Sequence, residues 1–142
     1  MNLKLIYKMK NLLLVFLLAF TTLSVYAQVP EKAKTIIITM PDSNTVNDKV
    51  TKVFTSRDYT VQSTGKKASV ISTAPKTLKT NARVVYTAQL KGADVLLTGR
   101  IVVAGQSSMN IEYKETKGTP IMIGWEEMEK IAKALGGKVK YE

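Results

Sequence analysis

Residues 82–102 read ARVVYTAQLKGADVLLTGRIV and carry the strongest structural signal in the chain. Apolar and polar residues alternate on both sides of Gly92-Ala93, which is typical of two strands joined by a two-residue turn with glycine first. The register set by this turn brings apolar residues together on one face, in the pairs Leu90–Val95, Ala88–Leu97, Tyr86–Gly99 and Val84–Ile101. The mixed face holds the pairs Lys91–Asp94, Thr87–Thr98 and Val85–Arg100. We therefore predict a long antiparallel hairpin with one apolar face.

One cross-strand pair of this hairpin has a structural interpretation. The Tyr86 ring is expected to lie over Gly99 and to cover bare backbone, which is a known way to stabilise a glycine within a sheet. We therefore do not assign these two residues to a ligand site.

The segment before the hairpin predicts a strand, a helix and a pair of strands. The β-branched run Thr35–Met40 indicates a first strand that is covered on both faces. A helix is expected over residues 45–56, with an N-cap at Ser43, Asn44 or Thr45. Its apolar stripe is formed by Val46, Val50, Val53 and Phe54. Residues 59–63 and 68–74 predict two strands joined by a Gly65-Lys66 turn, which sets Val61 opposite Val70.

The segment after the hairpin predicts a strand and a second helix. Residues 109–115 alternate, with Met109, Ile111 and Tyr113 on one side, and residues 117–120 are expected to break the chain. The helix, over residues 125–135, buries a stripe formed by Trp125, Met128, Ala132 and Leu135, with Ile131 beside it. Gly136-Gly137 ends it, and Val139 and Tyr141 are expected in a short closing strand or beneath the sheet.

Three glutamates in this second helix resemble a metal site at first sight. Glu126, Glu127 and Glu129 are close in sequence, but neighbouring residues on a helix point in different directions. We interpret them as the acidic start of a helix that carries Lys130 and Lys133 later, an order that complements the helix dipole.

These elements together predict the fold class. Successive strands joined by short turns indicate a mostly antiparallel sheet of five to six strands, in β-α-β-β-β-β-(β)-α order. Two helix stripes and one apolar sheet face indicate a two-layer α+β domain over residues 35–142, with the C-terminal helix packed on the sheet. Residues 28–34 are expected to be a mobile lead-in.

The pattern over residues 35–73, with the final helix, resembles the helix-grip folds. It is similar in particular to the small domains in lipoprotein subunits of the outer-membrane β-barrel assembly machine, on the first strand, the helix stripe, Asp58-Tyr59-Thr60-Val61, Gly65 and Val70-Ile71-Ser72-Thr73. The chain departs from that family in having no lipidation cysteine and one domain, and in carrying Asp58 where glycine is usual. The whole chain is also similar to small exported proteins of the Bacteroides type, and this resemblance implies a location in the cell envelope.

The first 27 residues have the order of a secretory signal peptide. Lys4, Lys8 and Lys10 precede an apolar run over residues 12–20, and Val25-Tyr26-Ala27 offers a cleavage site. The solid apolar run is shorter than the roughly 20 residues that a membrane-spanning helix needs. We therefore expect cleavage after Ala27 and export, most simply to the periplasm, which would lower the formal charge from +10 to +7.

Composition limits the chemistry that remains. The chain has no cysteine and no histidine, which excludes Ser-His-Asp and Cys-His nucleophilic sites and the zinc, haem and iron–sulfur sites built from those ligands. No glycine-rich phosphate loop and no G-x-S-x-G motif is present. We therefore expect a protein that is not an enzyme and that binds no cofactor or metal. The export signal and the lack of a nucleic-acid-binding motif argue against a nucleic-acid partner.

Two functions fit these limits best, ahead of a hydrolase using carboxylates or a serine, which would need two buried acids facing each other in a cleft. The first is binding to an envelope protein or to an anionic envelope surface through the outer face of the hairpin, where the candidate contact residues are Arg83, Val85, Lys91, Leu96, Arg100 and Val102. A second layer of structure is the alternative use of this face, and strand addition at a sheet edge is another route to a partner. The second function is to carry a small amphiphile between sheet and C-terminal helix, in a cavity lined by Met109, Tyr113, Met122, Trp125 and Met128.

Overall fold

The computed structural model describes residues 28–62, 68–79, 82–103 and 107–142. The elements in this part of the chain are β1 (Ile36–Thr39), α1 (Val46–Ser56), β2 (Val70–Ser72), β3 (Lys76–Thr77), β4 (Arg83–Lys91), β5 (Asp94–Val102), β6 (Met109–Asn110), α2 (Pro120–Leu135) and β7 (Lys138–Tyr141), with a 3-10 turn over Ser43–Thr45 before α1. The predicted signal peptide and the predicted Gly65-Lys66 turn lie outside the described residues.

Strands β4 and β5 form the predicted hairpin. Every predicted cross-strand pair is present, from Lys91–Asp94 beside the turn to Val84–Ile101 near the open end, and the ladder continues to Arg83–Val102. Gly92 has φ +60°, a left-handed conformation that glycine adopts without steric cost. The turn chemistry and the alternation therefore predicted this register correctly.

The hairpin lies at the centre of one antiparallel sheet. The strand order is β2-β4-β5-β1-β7, while β3 also pairs with β4 and β6 also pairs with β5. Strand β1 is inserted between the hairpin and the C-terminal strand, because Ile36 pairs with Leu97 on one side and Tyr141 on the other. The predicted α+β class is confirmed, with seven strands among the described residues.

Both described helices cover the same face of the sheet. Helix α2 packs on β5 and β1, helix α1 packs on β4 and β2, and the two helices contact each other. The residues of the inner face are buried at 0–1% exposure: Ile36, Ile38, Ile71, Val84, Tyr86, Ala88, Val95, Leu97 and Ile101. The helix stripes fill the other side of this core, and the predicted α2 stripe is buried throughout, with Trp125 and Met128 at 0%. The predicted two-layer arrangement is therefore confirmed.

Helix α1 has the predicted stripe, ends at Ser56 as predicted, and has Thr45 in its N-cap position. Asp42 is the residue that caps the preceding turn, since its carboxylate accepts a hydrogen bond from the Asn44 amide at 2.9 Å, and Thr45 makes no side-chain cap. At the C-terminus, Asp58 is left-handed with φ +61°, and its amide donates to Thr55 O at 3.1 Å. The Tyr59 amide donates to Phe54 O at 3.0 Å, which completes a Schellman motif.

The predicted pairing of Val61 with Val70 is wrong. Val61 forms an isolated bridge with Thr73, and residues 59–63 form no strand within the described part of this segment. The cause is burial. Tyr59 packs its ring edge-on against Phe54 and Tyr86, and Ile71 enters the core at 0% exposure opposite Ala88. These two contacts fix the offset between the segments.

The predicted sixth strand is shorter than its alternation indicates. Strand β6 contains Met109 and Asn110 alone, and Met109 is 47% exposed, whereas Ile111 is fully buried. The chain then leaves β5 and binds the segment before β1, where the Tyr113 amide donates to Ala33 O at 2.8 Å. Met109 pairs with Ile101 of the inner face and so lies on the same side as Ile111, as predicted, but it is much more exposed.

Helix α2 begins five residues earlier than the prediction, which treated residues 117–120 as a break. Thr119 is the N-cap and accepts a hydrogen bond from the Met122 amide at 3.3 Å. Pro120 occupies the first turn, where its missing N–H has no consequence because the first amides of a helix have no partner within the helix. Glu126, Glu127 and Glu129 consequently lie beyond the first turn, and the dipole interpretation is wrong for them. Gly136 ends the helix at φ +78° as predicted, and Val139 and Tyr141 lie in β7.

No helix in the described part of the chain is long and apolar enough to cross a membrane.

Candidate functional site

The face of the sheet that points away from the helices is the candidate functional site, and we call it the outer sheet face. On β4 and β5 it carries the residues that alternate with the buried ones, and no described helix packs on it. All six predicted contact residues lie there. Arg83, Lys91 and Arg100 are exposed, and Val85, Leu96 and Val102 are half-buried. The prediction of a half-apolar outer face is therefore correct for the described residues.

The ladder brings these six residues into two groups. Two adjacent cross-strand pairs, Arg83–Val102 and Val85–Arg100, lie together at the open end of the hairpin. Leu96 pairs with Gln89 nearer the turn, and Lys91 pairs with Asp94 beside it. Each apolar side chain thus has a polar or charged neighbour opposite or beside it.

Sequence reasoning missed the part of the surface contributed by other strands. Ile37 of β1 lies opposite Leu96, and Lys138 and Lys140 of β7 lie opposite Thr39 and Ile37. On the other side of the hairpin, Val70 lies opposite Gln89 and is 46% exposed. The alternating Lys-Val-Lys-Tyr sequence of residues 138–141 indicates strand β7. Alternation does not indicate which strand β7 lies beside, so its two lysines could not be assigned to this surface from the sequence.

The outer sheet face has an excess of positive charge. Its described strands carry five cations (Arg83, Lys91, Arg100, Lys138 and Lys140), whereas its acids are Asp94 and the adjoining Glu142. Asp94 accepts a hydrogen bond from Thr39 Oγ1 at 2.6 Å, and Glu142 pairs with Lys140 at 2.6 Å. By contrast, helices α1 and α2 hold four lysines and four acids, which balance. The outer sheet face therefore has a net excess of positive charge, whereas the two helices together have none.

A shallow depression of about 190 Å³ opens on this face. Its lining includes Val85 and Thr87 of β4, Thr98 and Arg100 of β5, and Lys34. A second depression of about 440 Å³ lies beside residues 28–31 and is lined by Tyr113 and two acids, Glu31 and Glu115. The two depressions therefore differ in the sign of their charged residues.

A polar cluster joins the two helices on the opposite side of the molecule. Arg57 donates from Nε and Nη2 to the two carboxylate oxygens of Glu127, each at 2.9 Å. The Tyr59 hydroxyl donates to the same carboxylate at 3.3 Å, and Lys76 Nζ lies 4.4 Å from the centre of the Tyr59 ring. Lys76 also donates to the Arg57 carbonyl oxygen at 2.7 Å.

The tyrosines of this cluster are held neutral. Burial first, and then the Glu127 carboxylate, raises the pKa of Tyr59 far above its ordinary value of 10. Burial first, and then the nearby Tyr59, likewise raises the pKa of Tyr86, whose hydroxyl donates to Gly124 O at 2.9 Å. Because both phenols stay protonated at neutral pH, neither can serve as a general base, and the contacts of the cluster join one helix to the other.

The region between the sheet and α2 is closely packed. A Cβ atom added to Gly99 or to Gly124 would lie 2.7 Å from Ile111 Cδ1, and one added to Gly99 would lie 3.0 Å from the Tyr86 ring. Tyr86 and Ile111 therefore cover Gly99 from both sides, as the structural interpretation of Tyr86 predicts. Neither depression is lined by Met122, Trp125 or Met128. The carrier function stays a prediction.

Within residues 28–62, 68–79, 82–103 and 107–142, no three acidic side chains come together in a way that could hold a metal ion. No protein-family model matches the chain. A search of curated proteins also found no match.

Proposed function

We propose that this protein is a non-enzymatic exported envelope protein whose outer sheet face binds an anionic envelope surface. The observation that carries the proposal is the charge difference between the two layers: the helices are balanced, and the sheet face has five cations against two acids. A surface with such a field attracts anionic lipid head groups over a Debye length of about 8 Å at physiological salt.

The apolar residues of the face support the same function. Val85, Leu96 and Val102 are half-buried and short, so they can contact the boundary of a lipid layer while the longer arginines and lysines reach the head groups. Export, which the basic and apolar residues of the N-terminus predict, would bring this face into contact with envelope lipids.

The test measures binding of the exported protein to vesicles. The double variant Arg83→Gln/Lys91→Gln removes two charges from the outer sheet face, and Lys49→Gln/Lys52→Gln removes two from exposed positions of α1. At about 1 kcal/mol per basic residue near an anionic surface, we expect the sheet variant to bind anionic vesicles roughly 30-fold more weakly, and the helix variant within about twofold of wild type.

Equal losses in the two variants would show that net charge, and not this face, governs binding. No binding of the wild-type protein to anionic vesicles would overturn the proposal and leave a protein partner as the function to test.

A further inference from the structure

The depression beside Lys34 and Arg100 exists because strand β5 changes its neighbour. Strand β1 pairs with β5 as far as Leu97, and β6 pairs with it from Arg100 onward, with the Ile111 amide donating to Gly99 O at 2.9 Å. The chain before β1 turns away at this point, since the Lys34 amide donates to Glu142 O at 2.6 Å. The sheet therefore has a gap beside Thr98 and Gly99, between the two ladders, and the depression opens there.

The lining of this gap has the chemistry of an anion site. It combines two cations, Lys34 and Arg100, with the hydroxyls of Thr87 and Thr98 and the side-chain amide of Asn110, and it contains no carboxylate. Arginine and lysine are the residues that bind phosphate most often, and neutral hydroxyl and amide donors complete such sites. The other depression, with Glu31 and Glu115, would repel the same group.

We propose that this depression binds the phosphate monoester head group of an anionic lipid, a selectivity that rests on the proposed function of the outer sheet face. The volume of about 190 Å³ is below the roughly 300 Å³ of pockets for drug-sized molecules, so it accommodates one head group and not a whole lipid. The half-buried Val85 at its edge faces the same direction as the rest of the surface that meets the lipid layer.

The two cations distinguish a monoester from a diester. A phosphate monoester carries about −1.5 to −2 charges at pH 7, because its second pKa is about 6, and it matches one lysine and one arginine together. A diester carries one charge and one fewer free oxygen. The remaining cations of the face respond to total surface charge and provide no such discrimination.

The experiment compares vesicles that contain phosphatidic acid with vesicles that contain phosphatidylglycerol, at matched surface charge. We expect wild-type protein to bind the monoester vesicles at least about fivefold more tightly, as phosphate recognition by a charge-assisted hydrogen bond requires. The variant Lys34→Gln/Arg100→Gln should bind both kinds equally. The variant Arg83→Gln/Lys91→Gln, altered outside the depression, should bind both more weakly in the same proportion and keep the wild-type ratio.

The phosphate site would be overturned if the wild-type affinities for the two kinds of vesicle differed by less than twofold, or if Lys34→Gln/Arg100→Gln kept the wild-type ratio of these affinities. Binding to anionic surfaces in general would remain in place. Absence of binding to either vesicle would overturn the proposed function as well. Soluble glycerol 3-phosphate provides the last test. If it binds as tightly as the phosphatidic acid vesicles do, the ligand is a free phosphate ester and not a lipid head group. Weak competition with the vesicles supports the lipid. Lys34 and Arg100 are both exposed, and unchanged thermal unfolding of the variant confirms that its fold is intact.

Discussion

Asp58 ends helix α1 in a conformation that suits glycine. Its φ of +61° places it in the left-handed region, which costs a residue with a Cβ about 1 kcal/mol and is tolerated best by asparagine and aspartate. The surrounding hydrogen bonds and the Phe54–Tyr59 ring contact hold it there. We expect Asp58→Gly to raise the free energy of unfolding by roughly 0.5 kcal/mol and Asp58→Ala to lower it, as measured by urea titration. Equal effects of the two substitutions would contradict a conformational cause.

The buried tyrosines predict alkaline destabilisation. The pKa of Tyr59 is raised in the folded state, so the folded protein keeps a proton that the unfolded chain, with a pKa of 10, releases. The stability contribution of Tyr59 is therefore complete below pH 10 and is lost as the pH rises toward the folded pKa. By pH 11 the loss is about 1 kcal/mol for each such residue. The stability advantage of wild type over Tyr59→Phe should shrink between pH 8 and pH 11, and parallel pH profiles would show that Tyr59 is not the cause.

Elements differ in how far sequence determines them. The β4–β5 hairpin could be predicted to the residue, because a two-residue glycine turn and strict alternation both specify one register. The pairing of Val61 with Thr73 could not be predicted, because it depends on where Tyr59 and Ile71 enter a core built by distant residues. The same holds for the candidate site: its six hairpin residues follow from alternation, whereas Lys34, Ile37 and Lys140 join it only through the position of β1 between β5 and β7.

The Arg57–Glu127 ion pair joins the C-terminal end of helix α1 to helix α2. Both side chains are partly shielded, at 30% and 15% exposure, and the contact is bidentate. We expect a double-mutant cycle with Arg57→Gln and Glu127→Gln to give a coupling of about 1 kcal/mol in unfolding experiments. The pair Lys140–Glu142 is a matched control, since its side chains are 71% and 53% exposed and its coupling should be near zero. Similar couplings in the two cycles would contradict a role in holding the helices together.

At the scale of the whole molecule, the helix layer and the sheet layer differ in charge and in exposure. The helix layer buries the aromatic core and is electrically balanced, whereas the sheet layer presents a basic surface without a described covering element. Binding through the sheet therefore predicts a single orientation at an anionic surface, with the helices turned away from it.

This orientation can be measured because the chain contains no cysteine, so one introduced cysteine carries one fluorescent label. Gln89 on the outer sheet face and Lys52 on α1 are both exposed, and they belong to opposite layers. With a polarity-sensitive label, we expect Gln89→Cys to shift its emission on binding to anionic vesicles and Lys52→Cys to keep the emission of the free protein. Added salt should reverse the shift, because the attraction is screened within about one Debye length. Equal responses from both labels would mean that the protein has no preferred orientation, and a response from Lys52→Cys alone would place the contact on the helices.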